Sequence, residues 1–136
     1  MTFYLDTDIC VFALKGRFPA LQTRMASCTP ERIKIPAVVK GELLLGAHRS
    51  EHPDRTSHVV EAFLRPFEIV PFCERCAISY AHIRWDVERR GVSIGPNDLL
   101  VAATTLANQG TLVTHNTKEY GRIPTLTWQD WTRDEQ

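Results

Sequence analysis

Short apolar runs along this chain alternate with longer segments in which apolar residues return every three or four positions. Phe3-Tyr4-Leu5 reads as a first strand ending at Asp6, and Ile9 to Leu14 as a helix closed near Gly16. Leu21 to Met25, after Pro19, suggests a second helix. Ile33 and Ile35 flank Lys34 as in a short strand, and Pro36 suits the first turn of a helix running to about Gly46. Residues 54–64 read as a helix stopped before Pro66, and Glu68-Ile69-Val70 as a strand bounded by Pro66 and Pro71. The longest helix is expected over 74–90, where Ala77, Ile78, Ala81 and Trp85 recur at helical spacing. Arg89 and Arg90 fall in its last turn, where cations meet the negative end of the dipole, and Gly91 is its stop. A helix over 97–109 ends at Gly110, followed by a strand over Thr111–Thr114, helical turns over Asn116–Tyr120 and a last strand over Thr125–Thr127. Strands alternating with helices predict an α/β fold, with a central, mostly parallel twisted sheet of about five short strands flanked by helices. No repeat, low-complexity tract or linker divides residues 1–136, so a single domain is expected.

Composition narrows the class. With 136 residues, 43% hydrophobic and 24% charged, the chain can bury a real core and is too apolar to be disordered. Its longest uninterrupted apolar runs, Ile9 to Leu14 and Leu99 to Ala103, are far short of the ~20 residues a membrane span needs. The N-terminus has no basic region followed by an apolar stretch, so the expected compartment is the cytoplasm. Sixteen basic and sixteen acidic side chains cancel, which argues against coating nucleic acid by bulk charge. Residues 14–58 nevertheless carry eight basic against four acidic side chains, Lys15, Arg17 and Lys40 among them. That stretch is either a solvated helical surface or a docking face for a polyanion. Four cysteines include one CxxC pair, Cys73 and Cys76, while Cys10 and Cys28 stand alone. They read as buried or partly buried thiols, with a redox or zinc role for the CxxC as the alternative.

Candidate chemistry lies in the acids. In parallel α/β sheets, ligands sit outside the carboxyl ends of the strands. Asp6 falls there, either as the N-cap of the next helix or as a site carboxylate, and Asp8 follows as a first-turn acid. Glu42 shares a helix side with Val38, Val39 and Leu45, which leaves it snorkelling at the edge of an apolar stripe or aimed at a cation. Asp98 is placed in a first helical turn after the Gly95-Pro96-Asn97 bend, at the rim of the sheet. Asn116-Thr117-Lys118-Glu119 matches a capping box, with Glu119 reaching back to Asn116; the same geometry holds a carboxylate beyond a strand end. Converging carboxylates repel unless something neutralises them, and a hard cation such as Mg²⁺ or Mn²⁺ suits oxygen donors and bridges to phosphate. Such a cation activates water and stabilises charge on a phosphodiester, which is nuclease chemistry.

Four segments carry a resemblance: Leu5-Asp6-Thr7-Asp8-Ile9-Cys10, Val39-Lys40-Gly41-Glu42-Leu43, Ile94 to Ala102, and Leu112 to Tyr120. With the closing Trp128-Gln129-Asp130-Trp131, they resemble the PIN-domain toxins called VapC across essentially the whole chain. The resemblance implies a PIN-like fold and an Mg²⁺- or Mn²⁺-dependent endoribonuclease of a type II toxin–antitoxin module. Such enzymes cleave structured RNA, often tRNA or ribosomal RNA, and so stop translation. It maps the acidic site onto Asp6, Glu42, Asp98 and Glu119, with Asp6 and Asp98 as metal ligands and Thr7, Asn116 and Thr117 as polar neighbours. Lys15, Arg17, Lys40 and Arg84 are the basic residues proposed to hold the RNA backbone. The implied partners are a VapB antitoxin whose C-terminal segment fills the active-site groove, a second toxin copy, and operator DNA reached through the antitoxin. Asp8 departs from the family pattern, where Asn is commoner, and could be an extra ligand; the CxxC is not a family feature.

Three other readings compete. Asp6-Thr7-Asp8 mimics the DxD of haloacid-dehalogenase-type phosphatases, although Ile9 stands where that family has Gly. A non-enzymatic zinc or redox module built on Cys73 and Cys76 is the second. An inactive PIN-like fold that only binds RNA is the third, and the intact set of four acids argues against it.

Overall fold

Phe3, Tyr4 and Leu5 are all buried, as are Thr111, Leu112 and Val113, so neither run shows the in–out alternation of a sheet with one wet face. These runs are the centre of a parallel sheet in the computed structural model, which describes residues 1–134. The strands are β1 (Phe3–Leu5), β2 (Ile33–Pro36), β3 (Glu68–Val70), β4 (Thr111–Val113) and β5 (Trp128–Gln129). Their order is β3-β2-β1-β4-β5, and every pairing is parallel, for example Phe3 against Ile33 and Leu5 against Val113. The connecting helices are α1 (Thr7–Leu14), α2 (Pro19–Ser27), α3 (Ala37–His48), α4 (Pro53–Leu64), α5 (Glu74–Arg89), α6 (Pro96–Ala107) and α7 (Thr117–Tyr120). A 3-10 turn, Pro30–Arg32, leads into β2. No helix among the described residues is long and apolar enough to cross a membrane.

The winding positions the site. From β1 the chain steps outward to β2 and β3, then returns to lay β4 and β5 on the other side of β1. The direction of winding therefore reverses between β1 and β4. Two loops part at their carboxyl ends and leave a crevice, the usual ligand position of an open α/β sheet. Asp6 follows β1 there, and Thr114 follows β4.

Several boundaries differ from the sequence expectations. Pro36 ends β2 and precedes α3, because its extended ψ of 140° belongs to the strand and not to a first helical turn. The last strand is Trp128–Gln129, not Thr125–Thr127. Leu126 is spent on a turn back to Ile123, so pairing with β4 begins only where Leu112 N–H reaches the Thr127 carbonyl at 2.9 Å. Gly91 stops α5 with φ of 70°, as a left-handed terminator should. Gly110 has a different task from the one expected of it. The left-handed residue after α6 is Gln109, while a Cβ on Gly110 would stand 2.3 Å from the ring of buried Tyr4.

The apolar stripe of α5 also points the other way. Ala77, Ile78, Ala81 and Trp85 face solvent, Ile78 and Trp85 being 57% and 65% exposed. Cys76, Ile83 and Val87 make the buried face instead.

Candidate active site

Asp6 is the residue between β1 and α1, and it caps the helix: its Oδ1 accepts from Ile9 N–H at 2.9 Å. The same carboxylate serves a second partner, since Thr114 Oγ1 donates to its Oδ2 across the sheet. Thr114 in turn accepts from Asn116 N–H at 2.9 Å. A chain of hydrogen bonds thus stitches the loop after β4 to the end of β1. Asp6 is 5% exposed. Burial pushes its pKa up to about 7, against the pull of the Thr114 and Ile9 hydrogen bonds and with help from the charges of Asp8 and Asp98.

Asp98 lies in the first turn of α6 and is half-buried. Tyr120, buried in α7, donates its hydroxyl to Asp98 Oδ1 at 3.1 Å. Burial raises the Asp98 pKa to about 6, followed by hydrogen bonding and repulsion from Glu119 and repulsion from Glu42. A Cβ on Gly95 would meet Asp98 Oδ2 at 3.4 Å and Glu119 Oε1 at 3.7 Å, so the two carboxylates share the space over this glycine. Glu119 titrates the other way. Burial opposes its ionisation, but Gly95 N–H, Asp98, Asn116 and the more distant Arg122 together hold its pKa low. Of the two, Asp98 is the one that takes up a proton first as pH falls.

Glu119 does not close a capping box. Its Oε1 accepts from Gly95 N–H at 2.7 Å and its Oε2 from Asn116 Nδ2 at 2.6 Å, so it ties α7 to the start of α6 instead of capping α7. Glu42 is half-buried at the edge of the Val39, Leu43 and Ala47 stripe of α3. Thr7 Oγ1 donates to its Oε1 at 2.6 Å, and Asn97 Nδ2 makes a longer 3.4 Å contact with its Oε2. Thr7 and Asn97 are the chain neighbours of Asp6 and Asp98, so all four acids lie around one crevice. Asp8 is exposed on the outer side of α1 and Thr117 is half-buried in α7.

The donor set is carboxylate and hydroxyl oxygen throughout, which suits a hard divalent cation. Among the described residues none of the four acids forms an ion pair with Lys or Arg. Buried Asp6 and half-buried Asp98 are strained as anions, which a cation would relieve. As placed, no three His, Cys, Asp or Glu side chains of the described residues close into a cage, and each of the four acids accepts hydrogen bonds from neighbouring groups. The residues fit a divalent cation by chemistry and charge.

Several of the basic residues are engaged within the chain. Lys40 pairs with Glu61 at 3.5 Å, and Arg84 with Glu88 at 3.5 Å. Arg24 lies over Trp131, and Arg32 over Phe3. Lys15 lines a groove of about 330 Å³ with Thr7, Glu42, Val11, Leu43 and Val60, and Arg17 is exposed beyond it.

Tyr120 and Thr114 were missed as site residues. Their signal was a polar atom on a residue expected in the core: a hydroxyl closing the run Thr111–Thr114, and a phenol ending the α7 turns.

The PIN domain model matches residues 3–125. The chain belongs to the PIN-domain family. It is 34% identical over 134 residues to Ribonuclease VapC2 of Rickettsia felis, covering 98% of this chain and all of that one. It is 31% identical over 131 residues to the tRNA(fMet)-specific endonuclease VapC of Salmonella typhimurium, covering 96% of this chain and 98% of the relative. Among solved structures, it matches the DNA-bound VapBC2 complex of R. felis with a TM-score of 0.90 at 33% identity, over 96% of this chain and 99% of that one. The DNA-bound VapBC complex of S. typhimurium gives 0.91 at 32% identity, over 96% and 98% of the two chains. Within the PIN-domain family the chain thus belongs with the VapC ribonucleases. The phosphatase reading of Asp6 and Asp8 falls with this assignment, as does a purely non-enzymatic module.

Proposed function

We propose that this PIN domain is a divalent-metal-dependent endoribonuclease toxin that hydrolyses phosphodiester bonds of structured RNA, tRNA foremost. The observation that carries the reading is the gathering of Asp6, Glu42, Asp98 and Glu119 around the β1–β4 crevice with no basic side chain paired to them. Bound there, Mg²⁺ or Mn²⁺ supplies Lewis acidity at the phosphate and lowers the pKa of water. Asp6, Asp98, Glu42 and Glu119 are the residues that would hold it. Glu119, kept ionised by Gly95 N–H and Asn116, is the group best prepared to accept a proton from the attacking water. Tyr120 fixes the Asp98 carboxylate, and Thr114 fixes that of Asp6. Water forms the new bond to phosphorus and gives its proton to Glu119, the bond to the 3′ oxygen breaks, that oxygen takes a proton from solvent, and the products carry a 5′-phosphate and a 3′-hydroxyl.

The names of relatives that act on tRNA(fMet) support tRNA as substrate. Lys15, which lines the groove with Glu42, and exposed Arg17 are the residues that would meet the RNA backbone; Lys40 and Arg84 would first have to leave their glutamates. The mostly apolar groove beside Glu42 is the reading's site for an antitoxin segment, whose own DNA-binding part would carry the assembly to operator DNA. Sequencing RNA ends after a brief pulse of expression, with Asp98→Asn beside the unaltered protein, tests the activity. New 5′-phosphate ends are expected only with intact Asp98; 2′,3′-cyclic phosphate ends, or equal cutting by both proteins, would overturn it.

The exposed Ile78 and Trp85 of α5 are the proposed docking surface for a second copy of the chain. A two-fold axis between Ala81 and His82 would set two α5 helices antiparallel, with Ile78 opposite Trp85 and Glu74 opposite Arg89. Glu74 has no ion pair of its own among the described residues, while Arg89 would have to share its charge with Asp86. Trp85→Glu should convert a dimer to a monomer in sedimentation analysis; an unchanged dimer would place the interface elsewhere.

A further inference from the structure

The acid site makes no use of Cys73 and Cys76, yet they form the one pair of sulfurs in contact among the described residues. Cys73 is the N-cap of α5, with extended backbone at φ −95° and ψ −177°, and Cys76 sits in the first turn. One helical turn brings their Sγ atoms to 3.7 Å. Residues three apart at a helix start have Cα atoms within the ~4.4–6.8 Å that a disulfide spans, so side-chain rotation suffices to close the bond. The two thiols are not equivalent. Cys73 is partly exposed, while Cys76 is buried, with its S–H directed at the Pro71 carbonyl at 3.8 Å. Contacts with Cys76, the Arg75 amide and the Arg75 charge hold the Cys73 thiol below its ordinary pKa, whereas burial pushes Cys76 above it. An accessible thiolate beside a protected thiol is the division of labour that thiol–disulfide exchange requires.

We propose that Cys73 and Cys76 are a dithiol site that exchanges with low-molecular-weight disulfides of the glutathione type, closing an intrachain disulfide at the start of α5. The Cys73 thiolate attacks one sulfur of the small disulfide, forming a mixed disulfide and releasing one small thiolate. Cys76 gives up its proton to solvent, attacks the Cys73 sulfur and releases the second. The protein pair is oxidised by two electrons, and the small disulfide is reduced to two thiols. Cys10 is buried and Cys28 lies apart, so neither has a resolving partner in reach. The inference is independent of the ribonuclease reading.

The test equilibrates the full chain with mixtures of reduced and oxidised glutathione, quenches with acid and measures intact mass and thiol content. Two of the four thiols should disappear together as the oxidised fraction rises. Trypsin cuts after Arg75, so the product should appear as two peptides held by a Cys73–Cys76 bridge. Cys76→Ser should accumulate a glutathione adduct on Cys73, and Cys73→Ser should react about tenfold more slowly with no adduct on Cys76. The unaltered protein gives its answer even where Cys76→Ser fails to fold. Four thiols persisting in oxidised glutathione would overturn the proposal, and so would Cys28 being modified before Cys73.

Discussion

Asp6→Asn should lower RNA cleavage in Mg²⁺ by roughly 1,000-fold or more while leaving the fold intact, a loss of the size seen when charge stabilisation is removed from a preorganised site. The substitution keeps shape and deletes charge. Asn Oδ1 can still accept from Ile9 N–H, so the α1 cap survives. Asn Nδ2 would face Thr114 Oγ1, which can turn its own proton elsewhere and accept, beside the hydrogen bond it already receives from Asn116 N–H. What disappears is a 5% exposed carboxylate with no basic partner, the most cation-dependent anion of the four. Cleavage kinetics on a defined tRNA, with circular dichroism alongside, check both halves. A variant that cuts at the rate of the unaltered protein would remove Asp6 from the site.

Sequence pattern carried the fold further than it carried the site. The three residues of β1 could be placed as an apolar run ending at Asp6, and the three of β3, Glu68-Ile69-Val70, because Pro66 and Pro71 bracket them. β5 was displaced because two residues hold too little pattern to mark a register; only its partner β4 selects it. The α5 stripe was legible as a helix, but periodicity states which residues share a face and not whether that face meets the core or another chain. In the site, Asp6, Asp98 and Glu119 could be put at strand ends and helix starts from sequence. Their convergence could not, because it depends on the strand order that sets β4 beside β1. Glu119 shows the limit most clearly. Its local pattern spells a capping box, yet its carboxylate is claimed by Gly95, 24 residues away in sequence. One oxygen goes to this tertiary donor and the other to the Asn116 side chain, while the Asn116 N–H that a capping box would use goes to Thr114; Gly95 offers its amide with no side chain to shield it.

The same burial that readies the site for a cation should make the metal-free protein lose stability as pH rises. The folded pKa of Asp6 stands at about 7 against an ordinary 3.8, and that of Asp98 at about 6. A carboxyl with a raised folded pKa contributes fully below its unfolded value, and the contribution drains away as pH climbs through the folded one. The loss therefore runs from about pH 4 to just above pH 7, at up to ~1.4 kcal/mol for each pH unit for one such group. Glu119, Asp130 and Asp86, whose pKa values are lowered, act in the opposite sense only under more acidic conditions; the lowered Cys73 thiol opposes the raised pair at the alkaline end, so Cys73→Ser is the background in which the profile is read. In chelator, the melting temperature at pH 8 should fall below that at pH 5.5 by at least ~5 °C. Adding Mg²⁺ should restore most of it at pH 8 and little at pH 5.5, because a cation gains from anions that protons no longer mask. Asp6→Asn should flatten the metal-free profile and remove most of the Mg²⁺ response, tying both effects to one buried carboxylate. Scanning calorimetry of the two proteins at both pH values, with and without Mg²⁺, decides the matter. A metal-free melting temperature that rises between pH 5.5 and 8 would show that the crevice already neutralises its own acids and has no need of a metal.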